Sequence, residues 1–129
     1  MEDGKKDCIF CKIARGEAHS KKVYESDNFF GFLDINQIAD GKTLLIPKKH
    51  YKTLLDVPDN LGSEMLKAIK DISLMLIKQG KAEGFNLIMN NYEIAGQIVP
   101  HAHIHILPRK KGDGLKGLYL EEAEEKNRN

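Results

Sequence analysis

The 129 residues carry 20 Lys and Arg against 19 Asp and Glu, a net charge of +1, with 41% hydrophobic and 30% charged residues. A chain of this length reads as one domain that can bury a core without disulfides. The near balance of charge offers no field for nucleic acid or an anionic membrane, so no role with either is expected. The runs at Arg109-Lys110-Lys111 and Glu121 to Glu125 read as solvated faces. The longest apolar run, near Leu74 to Ile77, falls far short of a bilayer span, and the polar start from Met1 to Lys6 resembles no secretory signal. The expected location is cytoplasmic.

In chain order, residues 1–7 are polar, and Cys8-Ile9-Phe10-Cys11-Lys12-Ile13 then gives a Cys-x-x-Cys pair among apolar residues. In a reducing compartment the pair could be half of a zinc site, a redox pair or two small buried hydrophobes. Nothing like a preceding strand supports the redox reading. Arg15-Gly16-Glu17 reads as a turn. Val23 to Glu25, a turn at Ser26-Asp27-Asn28, and Phe29 to Asp34 read as a β-hairpin. A loop from Asn36 to Gly41 leads into a third strand, Thr43 to Pro47, with His50 just beyond.

Asp56 to Asn60 carries helix-start residues, with Pro58 suited to a first turn. Leu61, Met65, Ile69, Ile72 and Leu76 then recur every three or four residues, predicting one amphipathic helix ending near Gly80. Phe85 to Asn90 reads as a fourth strand, Asn91 to Gly96 as a turn, and the segment around residues 101–107 as a fifth strand. The core is expected over about 8–110, with a flexible tail at 111–129 and a short helix around Tyr119 to Lys126. The fold class expected is α+β: a mostly antiparallel five-stranded sheet with one main helix packed on it.

Three of the five histidines fall at alternate positions in His101-Ala102-His103-Ile104-His105. Alternation in an extended strand puts the three imidazoles on one face and Ala102, Ile104 and Ile106 on the other. Same-face neighbours lie about 6.5–7 Å apart, near enough to act on one small anion or one metal. Two chemistries suit such a row. The imidazoles could chelate one metal that activates water. Alternatively, one neutral imidazole could attack phosphorus while the others orient it. No glycine-rich phosphate loop accompanies them.

The run His101-Ala102-His103-Ile104-His105-Ile106-Leu107 resembles the signature of the histidine triad family: histidine, apolar, histidine, apolar, histidine, two apolars. The resemblance spans about residues 8–110. It takes in Cys8 to Ile13, Phe32-Leu33-Asp34-Ile35-Asn36, Leu44 to His50, Gly84-Phe85-Asn86 and Ala95 to Pro100. It implies a two-layer α+β domain, paired as a homodimer through a continuous sheet. It also implies a hydrolase that cleaves at the α-phosphate of a nucleotide through a nucleotidyl-histidine. By position His103 would be the nucleophile, with His101 and His105 flanking it. Asp34 would bind the ribose hydroxyls, and Ile9, Phe10, Ile13, Phe32 and Ile35 would form the base pocket. Asn90 and Gln97 would stand near the phosphate and leaving group. In members with Cys-x-x-Cys near the start, a structural zinc is held by residues matching Cys8, Cys11, His50 and His101.

Two departures bear on chemistry. Lys42 stands where most members carry a histidine, putting a permanent positive charge where it would bind phosphate or perturb the triad. Ile98 stands where the Hint-like branch often has a serine, whereas His105 to Asp113 resembles the Fhit-like branch. The expected substrates are therefore dinucleoside polyphosphates or nucleoside phosphoramidates. A zinc-stabilised nucleotide-binding or adaptor module with weak catalysis is the alternative.

Overall fold

The computed structural model describes residues 5–115, so the helix expected around Tyr119 to Lys126 lies outside the described residues. Five strands form one sheet in the order β1-β2-β3-β5-β4, every neighbouring pair antiparallel. They are β1 (Lys22–Glu25), β2 (Phe29–Leu33), β3 (Thr43–Pro47), β4 (Gly84–Ile88) and β5 (Ile104–Arg109). Two helices flank them, α1 (Ile9–Ala14) and α2 (Gly62–Lys78). The α+β architecture is as the sequence implies.

Register divides the core into two layers. Leu44 pairs with His105, and Leu45 with Ile104, so alternate residues of the central strands face opposite sides. On one side Phe29, Leu45, Ile104 and Ile106 pack against Ala68, Ile72 and Leu76 of α2. On the other, Phe30, Phe32, Leu44 and Ile46 pack against Phe10 and Ile13 of α1. The second layer is what carries the triad.

Helix α1 falls where the sequence reading saw only a cysteine pair. Cys8 caps it, its sulfur accepting the Cys11 N–H at 3.4 Å, and Phe10, Cys11 and Ile13 are buried. Helix α2 begins at Gly62, later than the start residues at 56–60 suggest, because two 3-10 turns, Leu54–Asp56 and Asp59–Leu61, come first. Pro58 sits extended between them (φ −62°, ψ 141°), and a proline has no N–H with which to extend the first turn.

The histidine segment also departs from expectation. The β5 ladder starts only at Ile104, because β3 pairs with β5 through Thr43, Leu44 and Leu45 alone. Upstream, the His101 N–H turns back to the Val99 carbonyl at 2.8 Å, and the Ala102 N–H donates to Tyr51 at 2.7 Å. The three histidines therefore run through a bend into a strand. Residues 110–115, at the start of the expected tail, form a hydrogen-bonded turn. Asp113 accepts from Arg109 Nε at 2.8 Å and from the Leu115 N–H at 3.0 Å. Among the described residues no helix is long and apolar enough to cross a membrane.

Candidate functional site

The bend gives each histidine a different environment. Nδ1 of His103 lies 2.8 Å from the backbone carbonyl of His101. A carbonyl can only accept, so Nδ1 carries the hydrogen and Nε2 keeps its lone pair. The His105 ring lies edge-on to His103, with centroids 5.1 Å apart, closer than a fully extended strand would place them. Phe10 packs edge-on against His103 at 5.1 Å. Burial lowers the pKa of His103, which keeps the ring neutral. Burial, with the Lys42 charge and His103 nearby, pushes His105 down to about 4.

His103 and His105 open into a cavity of about 780 Å³ that runs between α1, β2 and the loop before the triad. Ile9, Phe10, Ile13, Phe32 and Ile35, named from the resemblance, all line it, and so do Asp34 and Asn90. Ile35 is fully exposed at the rim. His19, Ser20 and Lys21 also line the cavity, although the sequence reading passes over them. Their only signal was position, since the chain leaving α1 must cross this mouth to reach β1.

Gln97 and Lys42 are absent from the cavity lining. The Gln97 amide is buried, donating to the carbonyls of Lys52 at 2.6 Å and Val99 at 3.0 Å while accepting the Tyr92 N–H at 2.7 Å. It braces the loop wall. Lys42 is 1% exposed and its ammonium lies 2.5 Å from Asp34 Oδ2.

A second cluster sits behind the triad. The thiols of Cys8 and Cys11 and one nitrogen each of His50 and His101 all lie within 4.8 Å of one another. Cys8 Sγ is 3.3 Å from His101 Nδ1; Cys11 Sγ is 3.4 Å from the same nitrogen and 3.2 Å from His50 Nδ1. A tetrahedral zinc, with bonds of about 2.3 Å to sulfur and 2.0 Å to nitrogen, spaces S and N by about 3.5 Å. The donor set fits. His101 Nε2 donates to the Pro47 carbonyl at 2.8 Å, which leaves Nδ1 bare toward the thiols. Lys5 N–H donates to Cys11 Sγ at 3.2 Å. His101 is thus drawn away from His103 and His105, and among the described residues the triad forms no metal-competent group of its own.

A family model described as "HIT domain" matches residues 15–112. This chain belongs to the HIT-domain family. Among curated HIT-domain relatives, "Adenylylsulfatase HINT3" of Arabidopsis thaliana is 44% identical over 109 residues, covering 84% of this chain and 55% of that protein. "Adenosine 5'-monophosphoramidase HNT1" of Candida albicans is 40% identical over 107 residues, covering 80% of this chain and 70% of the relative. The crystal structure of a zinc-bound histidine triad family protein from Mycobacterium smegmatis superposes with a TM-score of 0.79 at 37% identity, covering 85% of this chain and 80% of that one. Cys8 and Cys11 precede the span matched by the HIT model, so their place in a metal centre is argued from the cluster geometry.

Proposed function

We propose that this HIT-domain protein is a nucleotidyl hydrolase acting at the α-phosphate of dinucleoside polyphosphates or nucleoside phosphoramidates, adenosine compounds foremost. The observation that carries the reading is the fixed tautomer of His103 beside a cavity that joins an apolar slot to a carboxylate. The bare Nε2 attacks the α-phosphorus, and a P–N bond forms as the bond to the leaving group breaks. That electron pair departs with the leaving group, which takes up a proton. Water then attacks the nucleotidyl-histidine and releases a proton to solvent, balancing the one the leaving group took from it, while the P–N bond breaks and its pair returns to Nε2. His105 supports the ring, Asn90 stands near the phosphate, and the apolar slot takes the base. The names of the two relatives, both adenylyl-directed, support an adenosine substrate.

Cys8, Cys11, His50 and His101 would hold a zinc ion whose four-ligand shell leaves no open position. Its contribution would be structural, with the four residues fastening α1 to the segment that orients His103. A cytoplasmic location suits this set, because reducing conditions keep both thiols free to ligate.

The sheet edges support a homodimer. Edge strand β1 carries Lys22 and Glu25, charges that discourage pairing, whereas edge strand β4 reads Gly-Phe-Asn-Leu-Ile with no charge. Phe85 and Leu87 of β4 are half-exposed, as are Leu74 and Ile77 of α2. A second copy pairing β4 to β4 would cover them and continue the sheet. Leu87→Lys should yield monomers by light scattering.

Replacing His103 tests the chemistry. His103→Ala should abolish turnover of diadenosine polyphosphates and adenosine phosphoramidate while still binding AMP, and acid-sensitive labelling of the His103 peptide should appear during wild-type turnover. Turnover near the wild-type rate in that variant overturns the mechanism. Nucleotide binding without turnover in the wild type favours the binding-module alternative.

A further inference from the structure

The loop between β2 and β3 closes on itself beside the cavity. The Asp34 N–H donates to the Lys42 carbonyl at 3.0 Å, Gln37 Nε2 bridges the carbonyls of Asp34 and Lys42 at 2.7 and 2.8 Å, and the Gly41 N–H returns to Gln37 Oε1 at 2.8 Å. Lys42 precedes β3, and alternation puts it on the same side as Leu44 and Ile46, facing the α1 layer. Its ammonium ends against Asp34, 2.5 Å from Oδ2. The Asn36 N–H donates to Oδ1 at 3.0 Å. Both oxygens of this carboxylate are therefore anchored.

Burying a lysine is costly and demands a charged partner. An ammonium serving to bind phosphate would line the cavity, whereas this one is buried against the Asp34 carboxylate, its charge reaching His103 and His105 from within the fold. Asp34 is the single carboxylate among the lining residues. Ionised, it can only accept hydrogen bonds, so it repels phosphate and suits uncharged hydroxyls. Its position, two residues beyond Phe32 of the apolar slot and within electrostatic reach of His103, is where a sugar lies between a base and an α-phosphate. The Lys42 charge also cancels a negative field that would otherwise resist an anionic substrate.

We propose that Lys42 is a positioning residue that fixes Asp34 as a double acceptor for the two hydroxyls of a ribose. The site thereby selects ribonucleotides over 2′-deoxyribonucleotides through a side chain that never touches them. The proposal rests on the reading of the cavity as a nucleotide site.

Calorimetric titration of AMP and 2′-deoxyAMP into the full chain tests it. Losing a hydrogen bond to a charged acceptor should weaken wild-type binding of the deoxynucleotide by about tenfold to a hundredfold. Lys42→Met should weaken AMP alone, collapsing that ratio toward one, and Lys42→Gln, which keeps a donor without the charge, should fall between. The Gln variant also carries the test should the Met variant fail to fold. An unchanged ratio in these variants, or an equal loss for both ligands, overturns the proposal, as does a wild-type ratio of one. Failure of the wild type to bind either nucleotide instead overturns the reading of the cavity itself.

Discussion

His103 takes its ring orientation from the backbone of His101: the Nδ1–H of one donates to the carbonyl of the other at 2.8 Å. The side chain of His101 meanwhile points the opposite way, its Nδ1 3.3 Å from Cys8 and 3.4 Å from Cys11. One residue thus serves two sites, its carbonyl the triad and its imidazole the metal-competent cluster. The two are mechanically joined although they share no side-chain ligand.

Removing a cysteine should therefore be felt at His103. Cys11→Ala should reduce bound zinc from about one per chain to a trace. It should also lower kcat by about tenfold or more by loosening the segment that carries His103, the proposed nucleophile. Metal analysis alongside turnover checks both. A chelator should lower the melting temperature along with activity, because the proposed zinc takes no part in bond breaking.

The loop wall makes a second prediction. Tyr92 adopts φ 74° and ψ 154°, a region almost restricted to glycine, and its N–H is held by Gln97 Oε1 at 2.7 Å. Gln97→Glu replaces a donor to two carbonyls with an acceptor that repels them, so it should destabilise by about 2–3 kcal/mol. Tyr92→Gly should relieve the strain and recover about 1 kcal/mol, net of the ring's contact with Lys52. Denaturant melts of the two single variants and the double variant separate the effects.

Much of this was legible before the fold was known. The stripe from Leu61 to Leu76 reported α2, and the alternation brought His103 and His105 together, whereas the bend before β5 turns the His101 ring away to the cysteines. The four metal-competent residues follow from the family pattern and do converge. Helix α1 was hidden because it is only six residues long and is capped by a cysteine, although Ile9 and Ile13 stand at helical spacing. Lys42 belongs to an alternation with Leu44 and Ile46 that predicts an inward side chain. The sequence reading turned its charge toward phosphate or the triad, whereas the ammonium is buried against the counter-charge of Asp34, eight residues earlier. The strain at Tyr92 left no trace in sequence, because nothing local to a tyrosine predicts a positive φ.

Gly41 closes the loop that carries Asp34 and Lys42, and it does so with φ +98°. A β-carbon there would lie 2.8 Å from Leu76 Cδ2 and 3.1 Å from Lys81 Cδ. Lys81 can swing aside, whereas Leu76 is locked in the α2 core. Gly41→Ala should cost about 2–4 kcal/mol from left-handed strain and overpacking together. Weaker AMP binding should accompany the lower melting temperature, since Asp34 moves with the loop.

Glu64, in the first turn of α2, gathers three donors from the β1–β2 turn: Ser26 Oγ at 2.6 Å, the Asn28 N–H at 2.7 Å and Asn28 Nδ2 at 2.8 Å. Hydrogen bonds from Asn28 and Ser26 hold its carboxyl below the usual 4.5, because they favour the ionised form. A depressed folded-state pKa contributes stability above the unfolded value and loses it as pH falls through the folded one. Glu64→Gln should therefore cost about 1–2 kcal/mol at neutral pH, allowing for the partial exposure of the group. The gap between wild type and variant should narrow as pH falls below 4.5 and vanish once Glu64 is protonated in the folded state. Urea melts of both proteins across the acid range would show the two curves converging. A gap that stayed constant with pH would mean that Glu64 acts by packing rather than by charge.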